Sequence, residues 1–410
     1  MPVARGRPGL RRFEQKAQRK DQTMLARLTM AMVASVSAVA FGGDVGTYRV
    51  DCLGAGWTGT GINESGEVCG NVSPDGTSVL AGVSRGGLPF ELLPLPEGMQ
   101  TSRAHDINDA GVIVGAVCPN QYVISQPIAA VWRPGAGGYT VEVLGTLPGL
   151  PYSAAYAINN LGDIVGGSGY FGWSLTTGTL FGEDGPEALP DGMIGVDVND
   201  GRVVLTGNRL LHLDTGQIVE TPLPPGNWQG FVGAALNNLG DFCGYILGYS
   251  GCSTFPMRYR QGVGWEFLGG CATTTSATAI NDRGDALLYY YMTTSGVHFN
   301  PEGYFPLGSL IDPSQGEWYV QYGGGNGING SRQIVAAARD GATGPICAVL
   351  LTPMNPCPAD FNGDGVVNTL DLLAFLNVFT AGDASADFNG DGTVNTLDVL
   401  AFLNAYAVGC

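Results

Sequence analysis

The sequence predicts a mostly β chain: a seven-bladed β-propeller followed by a small α-helical module with two loop–helix repeats. Three observations carry this. A turn phrase built on Asn and Gly recurs seven times. Its copies are spaced as propeller blades are. Near the C-terminus one acidic loop pattern occurs twice, each time followed by the same apolar segment.

The phrase is cleanest at Ala157-Ile158-Asn159-Asn160-Leu161-Gly162-Asp163. Its key residues are Asn63, Asn108, Asn159, Asn199, Asn237, Asn281 and Asn329, at intervals of 45, 51, 40, 38, 44 and 48 residues. That is a blade period rather than a helical-solenoid period. Asn at the first turn position with Gly at the fourth favours a type I turn. The copy at Asn199, ending on Gly201, reads as one residue short; the copy at Asn329, running on to Arg332, is the most worn. Strand-like alternation puts Ala155, Ala157 and Asn159 on one face, with Tyr156 and Ile158 on the other. Such small residues suit the innermost strand of a blade. Ala129 to Arg133 and Pro256 to Arg260 read as third strands; Val141 to Gly145 and Trp265 to Gly269 read as fourth strands. Tyr48 to Gly54 matches a fourth strand with no blade before it, and Ile346 to Leu351 matches a third strand. The N-terminal strand therefore completes the last blade and closes the ring, which removes exposed sheet edges. This pairing brings Cys52 near Cys347, where a disulfide is expected.

The twin loops run from Asp360 to Asp371 and from Asp387 to Asp398. Asp360, Asn362, Asp364, Asn368 and Asp371 occupy positions 1, 3, 5, 9 and 12 of the first, and the Val366 carbonyl position 7. Asp387, Asn389, Asp391, Thr393, Asn395 and Asp398 repeat the set, Thr393 through its carbonyl. Gly365 and Gly392 hold position 6, where the chain turns sharply. Calcium is a hard cation that takes about six to eight oxygens, and this is the EF-hand spacing with Asp for Glu at position 12. Leu370, Leu373, Ala374 and Leu376, then Leu397, Leu400, Ala401 and Leu403, follow at helical spacing. The segments before both loops are too short and too rich in Pro, Gly and Ser for an entering helix.

A loop–helix repeated twice without entering helices resembles a dockerin. The resemblance implies two bound Ca2+ and docking of a helix face onto a cohesin domain. Positions 10 and 11, the family's recognition positions, are Thr369, Leu370, Thr396 and Leu397. The usual cellulosomal Ser-Thr pair is absent, which points to a cohesin-like or other surface scaffold partner outside the standard set. The Cys357-Pro358 opening and the Gly409-Cys410 ending resemble a variant bacterial type used as an anchoring module; Cys357 and Cys410 bracket it and are a second candidate disulfide. The middle of the chain, residues 46–353, resembles the bacterial extracellular HAF repeat, although the naming triplet is not intact. That family implies secretion and supplies no catalytic residues.

Residues 1–27 hold eight of the 19 basic residues, and the apolar stretch Leu28 to Ala40 ends in Ala38-Val39-Ala40. This reads as a signal peptide over residues 1–40, with Met24 as an alternative start. Arg11-Arg12 as a twin-arginine signal is the rival reading. Residues 1–40 carry two of the 36 acidic residues, so the exported part holds 11 basic against 34 acidic residues. Nucleic acid is excluded as a partner, since phosphate binding needs a basic face. No membrane span is expected in the mature chain, which is read as secreted or held at the cell surface. Residues 354–359 form a linker and 360–410 the module. Nine cysteines in an exported chain suggest disulfides with one thiol left over.

No G-x-S-x-G elbow, H-E-x-x-H or P-loop occurs, and His105, His212 and His298 share no motif. Asp163, Asp241 and Asp285 recur after the turn Gly, which points to a solvated structural role rather than catalysis. Trp57, Trp132, Trp173, Trp228, Trp265 and Trp318 are read as core packing before sugar stacking. The primary expectation is a noncatalytic exported ring that binds a ligand or partner, a glycan among the candidates. The alternative is a dockerin-borne polysaccharide-degrading enzyme, a glycoside hydrolase or lyase, with the propeller as catalytic domain.

Overall fold

A computed structural model describes residues 46–410 except 121–125, 173, 191, 222, 225, 227, 249–252, 270–274, 291–294, 322–326, 355–358, 363–366, 390–392 and 409–410. Residues 1–40, expected to be a signal peptide, and Trp173, Cys252, Cys271, Cys357 and Cys410 therefore lie outside the described residues. Seven antiparallel sheets form the seven-bladed propeller. Blade 2 shows the plan: Thr101–Ile107 innermost, then Ile113–Cys118, Ile128–Gly135 and Gly138–Gly145. Apolar clusters lie between neighbouring blades rather than within one. Cys69, Ala81, Val83, Ala104, Ile113 and Trp132 fill the space between blades 1 and 2. Leu53, Val68, Val335, Ala348 and Leu350 do the same between blades 7 and 1, so the core is continuous around the circle. Trp132 is fully buried, and Trp57, Trp228, Trp265 and Trp318 pack against these clusters.

Blade 7 is closed by the N-terminal strand. Tyr48–Ala55 pairs antiparallel with Ile346–Pro353, with Ala55 opposite Cys347 and a bulge between Cys52 and Gly54. Cys52 and Cys347 form a disulfide with their Cα atoms 5.8 Å apart. Cys69 and Cys243 are buried thiols, where the sequence suggested one thiol left over. Each sits inside an interblade contact or a strand, where a sulfur packs as a small apolar group.

The turn asparagines explain the repeat. Each Nδ2 donates to the backbone carbonyl of the next blade's asparagine, at 2.9–3.1 Å, from Asn63 through Asn108, Asn159, Asn199, Asn237 and Asn281 to Asn329, which donates back to Asn63. The seven bonds close a circle. Each Oδ1 meanwhile caps its own turn: that of Asn159 accepts from the Leu161 and Asp163 N–H groups. Only a carboxamide both donates and accepts in this way; Asp lacks the donor and Ala lacks everything. Asn159→Ala leaves two part-buried turn N–H groups and the buried Asn199 carbonyl without these partners. It is expected to cost about 3 kcal/mol, read as a lower urea midpoint at unchanged m-value. A shift under about 0.5 kcal/mol would contradict a structural role for the circle.

Three local expectations are corrected. The Asn199 copy is full length: Arg202, at φ 56°, takes the position of the turn Gly and donates its N–H to the Asn199 carbonyl. Arg332, at φ 60°, does the same at Asn329. Both side chains then reach back to the preceding copy, Arg202 to Asp163 and Arg332 to Asp285, at 3.0 and 2.9 Å. An ion pair offsets a left-handed conformation that costs a non-Gly residue about 1 kcal/mol. Asp163, Asp241 and Asp285 are thus not solvated: Asp241 and Asp285 are buried and Asp163 is largely so. Nor do Ala155 and Ala157 share a face. A bulge at Tyr156 turns Ala155 toward blade 2 and Ala157 toward blade 4.

Candidate functional site

Two places gather chemistry: the ring axis and the C-terminal loops. The axis is built from the residues around each asparagine. Ile62, Ile107, Ile158, Val198, Leu236, Ile280 and Ile328 form an aliphatic girdle. On one side of it a mouth of about 370 Å³ is lined by Glu64, Asp109, Asn160, Asp200, Asn238 and Asp282. This mouth is carboxylate-rich, but its carboxylates are already engaged. Asp109, Asp200 and Asp282 each accept a neighbouring blade's backbone N–H at 2.8–2.9 Å, and Glu64 accepts that of Gly330. Burial holds the Glu64 carboxyl above its usual range, partly opposed by the Gly330 bond.

On the other side lies a chamber of about 220 Å³, lined by the bulged residues Thr60, His105, Tyr156, Ala234 and Thr278 and by Asp106 and Asp197. Sequence reasoning did not single out these two aspartates. They stand where the other copies have Gly61, Ala157, Ala235, Ala279 and Gly327, and that contrast was the available signal. Asp106 accepts from the Ile107 and Ile158 N–H groups, Asp197 from those of Val198 and Leu236, so each clamps its blade to the next. Burial raises Asp106 to about 6 and Asp197 to about 7, the latter also through the charge of Asp106. Burial lowers His105 to about 4, and its Nδ1 lies 2.7 Å from the Ala155 carbonyl.

The two aspartates give a pH dependence. Their folded values lie above the unfolded value near 4, so the folded state binds more protons between about pH 4 and 7. Ring stability from this pair is highest below that window and falls as pH rises through it. His105 opposes this between about pH 4 and 6.5, where the unfolded imidazole gains a proton first. Asp106→Ala/Asp197→Ala uses a residue the repeat already holds at three equivalent positions. The double variant is expected to gain on the order of 2 kcal/mol relative to wild type between pH 5 and pH 8. Denaturant midpoints at both pH values check this; parallel changes in the two proteins would contradict it.

In the C-terminal module, helices Thr369–Ala381 and Thr396–Val408 pack Phe375 on Phe402, with ring centroids 4.4 Å apart. Phe361 and Phe388, from loop position 2, meet them edge-on, and the core is completed by Ala386. Asn368 caps the first helix in a capping box with Asp371. Asp371 and Asp398 are fully buried, and each accepts two N–H groups of its own loop: Asn362 and Asn368 to Asp371, Asn389 and Asn395 to Asp398. Those donors, that of Asn395 first, hold the Asp398 carboxyl below its usual range. Asp360 is also largely buried, and its Oδ2 accepts from Arg283 of the ring at 2.7 Å.

The donors fit calcium by chemistry: all-oxygen, with three carboxylates in each loop, Asp371 and Asp398 fully buried, and without the thiolates or imidazoles of a softer site. Asp364, Val366 and Asp391 lie outside the described residues, and among the described residues no three Asp, Glu, His or Cys side chains form a cluster that could hold a metal ion. Thr369, Leu370, Thr396 and Leu397 are exposed. Leu370, Leu373 and Leu376, with Leu397, Leu400 and Leu403, form matching exposed rows. The helices thus carry two apolar faces, and the leucines the periodicity brought forward lie on the outer one, while Leu372 and Phe375 turn inward.

Residues 358–406 match the family model of the dockerin type I domain. Domains of this family bind calcium and dock onto cohesin-type partners, and proteins carrying them are typically extracellular or bound to the cell surface. No curated protein matches the sequence. Among solved structures, the chain is similar to a fungal alcohol oxidase of the AA5 family in complex with copper, at 12% identity and a TM-score of 0.46, over 79% of each chain. It is also similar to the extracellular domain of a one-component system from B. thetaiotaomicron, at 11% identity and a TM-score of 0.43, over 75% of this chain and 40% of that one. At these values neither likeness bears on what the ring binds. No helix among the described residues is long and apolar enough to cross a membrane.

Proposed function

We propose that this is an exported, noncatalytic ring protein whose blades, built from HAF-type repeats, bind a ligand or partner, and whose C-terminal module attaches it to a cohesin-type scaffold at the cell surface. Residues 1–40 are removed on export, 46–353 form the ring, 354–359 the linker and 360–410 the module. Two Ca2+ order the module. Asp360, Asn362, Asp364, Asn368 and Asp371 with the Val366 carbonyl hold one; Asp387, Asn389, Asp391, Asn395 and Asp398 with the Thr393 carbonyl hold the other.

The observation that carries the attachment role is the outer leucine face. Leu370 and Leu397 are 56% and 57% exposed, at the same loop position in both repeats. Exposed apolar residues gathered in one patch mark an interaction surface. Attachment without catalysis is supported at the ring mouth, where the carboxylates accept backbone N–H groups of the neighbouring blades.

The test is Leu370→Asp/Leu397→Asp. Both side chains point outward, so the helical signal and calcium binding are expected to stay unchanged while affinity for the scaffold falls about a hundredfold or more. Retained affinity would move the docking surface elsewhere.

A further inference from the structure

We propose that Arg283 makes the two calcium loops inequivalent: it ties the first loop to the ring when only the second is loaded, and calcium entry into the first loop releases that tie. The proposal rests on reading residues 360–371 as a calcium loop and adds its regulation.

At the third position of the seven turns stand Ser65, Ala110, Leu161, Gly201, Leu239, Arg283 and Ser331. One copy alone places a long cation there. Its Nε donates to the Gly330 carbonyl in the next turn, which fixes the guanidinium against the ring, and its Nη2 donates to Asp360 Oδ2 at 2.7 Å. The two side chains are 18% and 4% exposed, so the pair is shielded from water and poorly screened by salt. Asp360 is loop position 1, a carboxylate that calcium itself requires.

Calcium therefore meets a fixed positive charge at the first loop. It takes Oδ2 and displaces Arg283. That weakens binding, because a cation near a ligand carboxylate competes for its charge. The loops share all five side-chain ligands, so without Arg283 their affinities should be alike. Linkage makes the effect reciprocal: whatever factor Arg283 costs calcium, calcium costs the ring–module contact.

The experiment is a calorimetric calcium titration of the full chain, wild type against Arg283→Gln and Arg283→Lys, followed in parallel by small-angle X-ray scattering. Wild type is expected to bind in two phases split roughly tenfold, expanding during the second. In Arg283→Gln the weaker phase tightens about tenfold, and the chain is expanded from the first phase on; Arg283→Lys lies between. Identical titrations in wild type and Arg283→Gln, or no expansion in wild type, would overturn the coupling while leaving the calcium loops intact. Absence of calcium binding in every chain overturns the loop reading itself.

Discussion

Chelation of calcium is expected to abolish the helical circular-dichroism signal of residues 369–408 and to leave the propeller's cooperative transition in place. The physical reason is the size of the module's core. Phe375, Ala386 and Phe402 are its fully buried members, and the remaining apolar side chains around them are half-exposed. A unit of about fifty residues with so few buried groups is marginal without a metal or a cross-link. Its position-12 carboxylates make the deficit worse. Asp371 and Asp398 are fully buried, and their backbone donors alone do not replace a divalent cation. Binding free energy in such a module is folding free energy, so removing the ion removes the fold. The ring has no such dependence: its seven interblade clusters and its asparagine circle are made of protein groups throughout. Calorimetry with and without chelator checks this. Two transitions are expected with calcium and the ring's alone without it; a helical signal that survives chelation would contradict the dependence.

Reduction of the Cys52–Cys347 disulfide is expected to lower ring stability by up to about 5 kcal/mol, because it releases the closure of blade 7. The cysteines are 295 residues apart, so the bond closes a very long loop and constrains the unfolded chain correspondingly. Reduction also removes the tie on an N-terminal strand that otherwise holds blade 7 through the antiparallel register of Tyr48–Ala55 on Ile346–Pro353. Cys347→Ser should shift the urea midpoint of the ring downward and raise its unfolding rate, since the N-terminal strand is free to leave first. Equal midpoints for Cys347→Ser and wild type would show that strand pairing alone closes the circle.

The blade count was legible because the turn is a hydrogen-bond machine with one chemical solution. Asn must donate across and accept within, so it recurs wherever the strand crosses the axis. The fourth turn position was less legible. Arg202 and Arg332 adopt the positive φ that glycine usually takes, and the compensating ion pairs join residues 39 and 47 positions apart, beyond any local pattern. The bulge at Tyr156 likewise leaves no compositional trace, and a single extra residue reverses which neighbour Ala157 touches. In the module, ligand spacing was visible in full, but the leucine rows were not separable from the core by period alone: inner and outer faces are both apolar, and only the packing of Phe375 on Phe402 decides which is buried. Asp106 and Asp197 were overlooked because two occurrences among seven copies make no repeat.

The most direct test of the central claim is capture of a cohesin-type scaffold from the surface fraction of the exporting cell by the full chain, in calcium and again in chelator. A single surface protein retained in calcium, lost in chelator and lost with Leu370→Asp/Leu397→Asp is the expected result. Retention of the same protein in chelator, or by the double variant, would contradict a calcium-dependent attachment through the module.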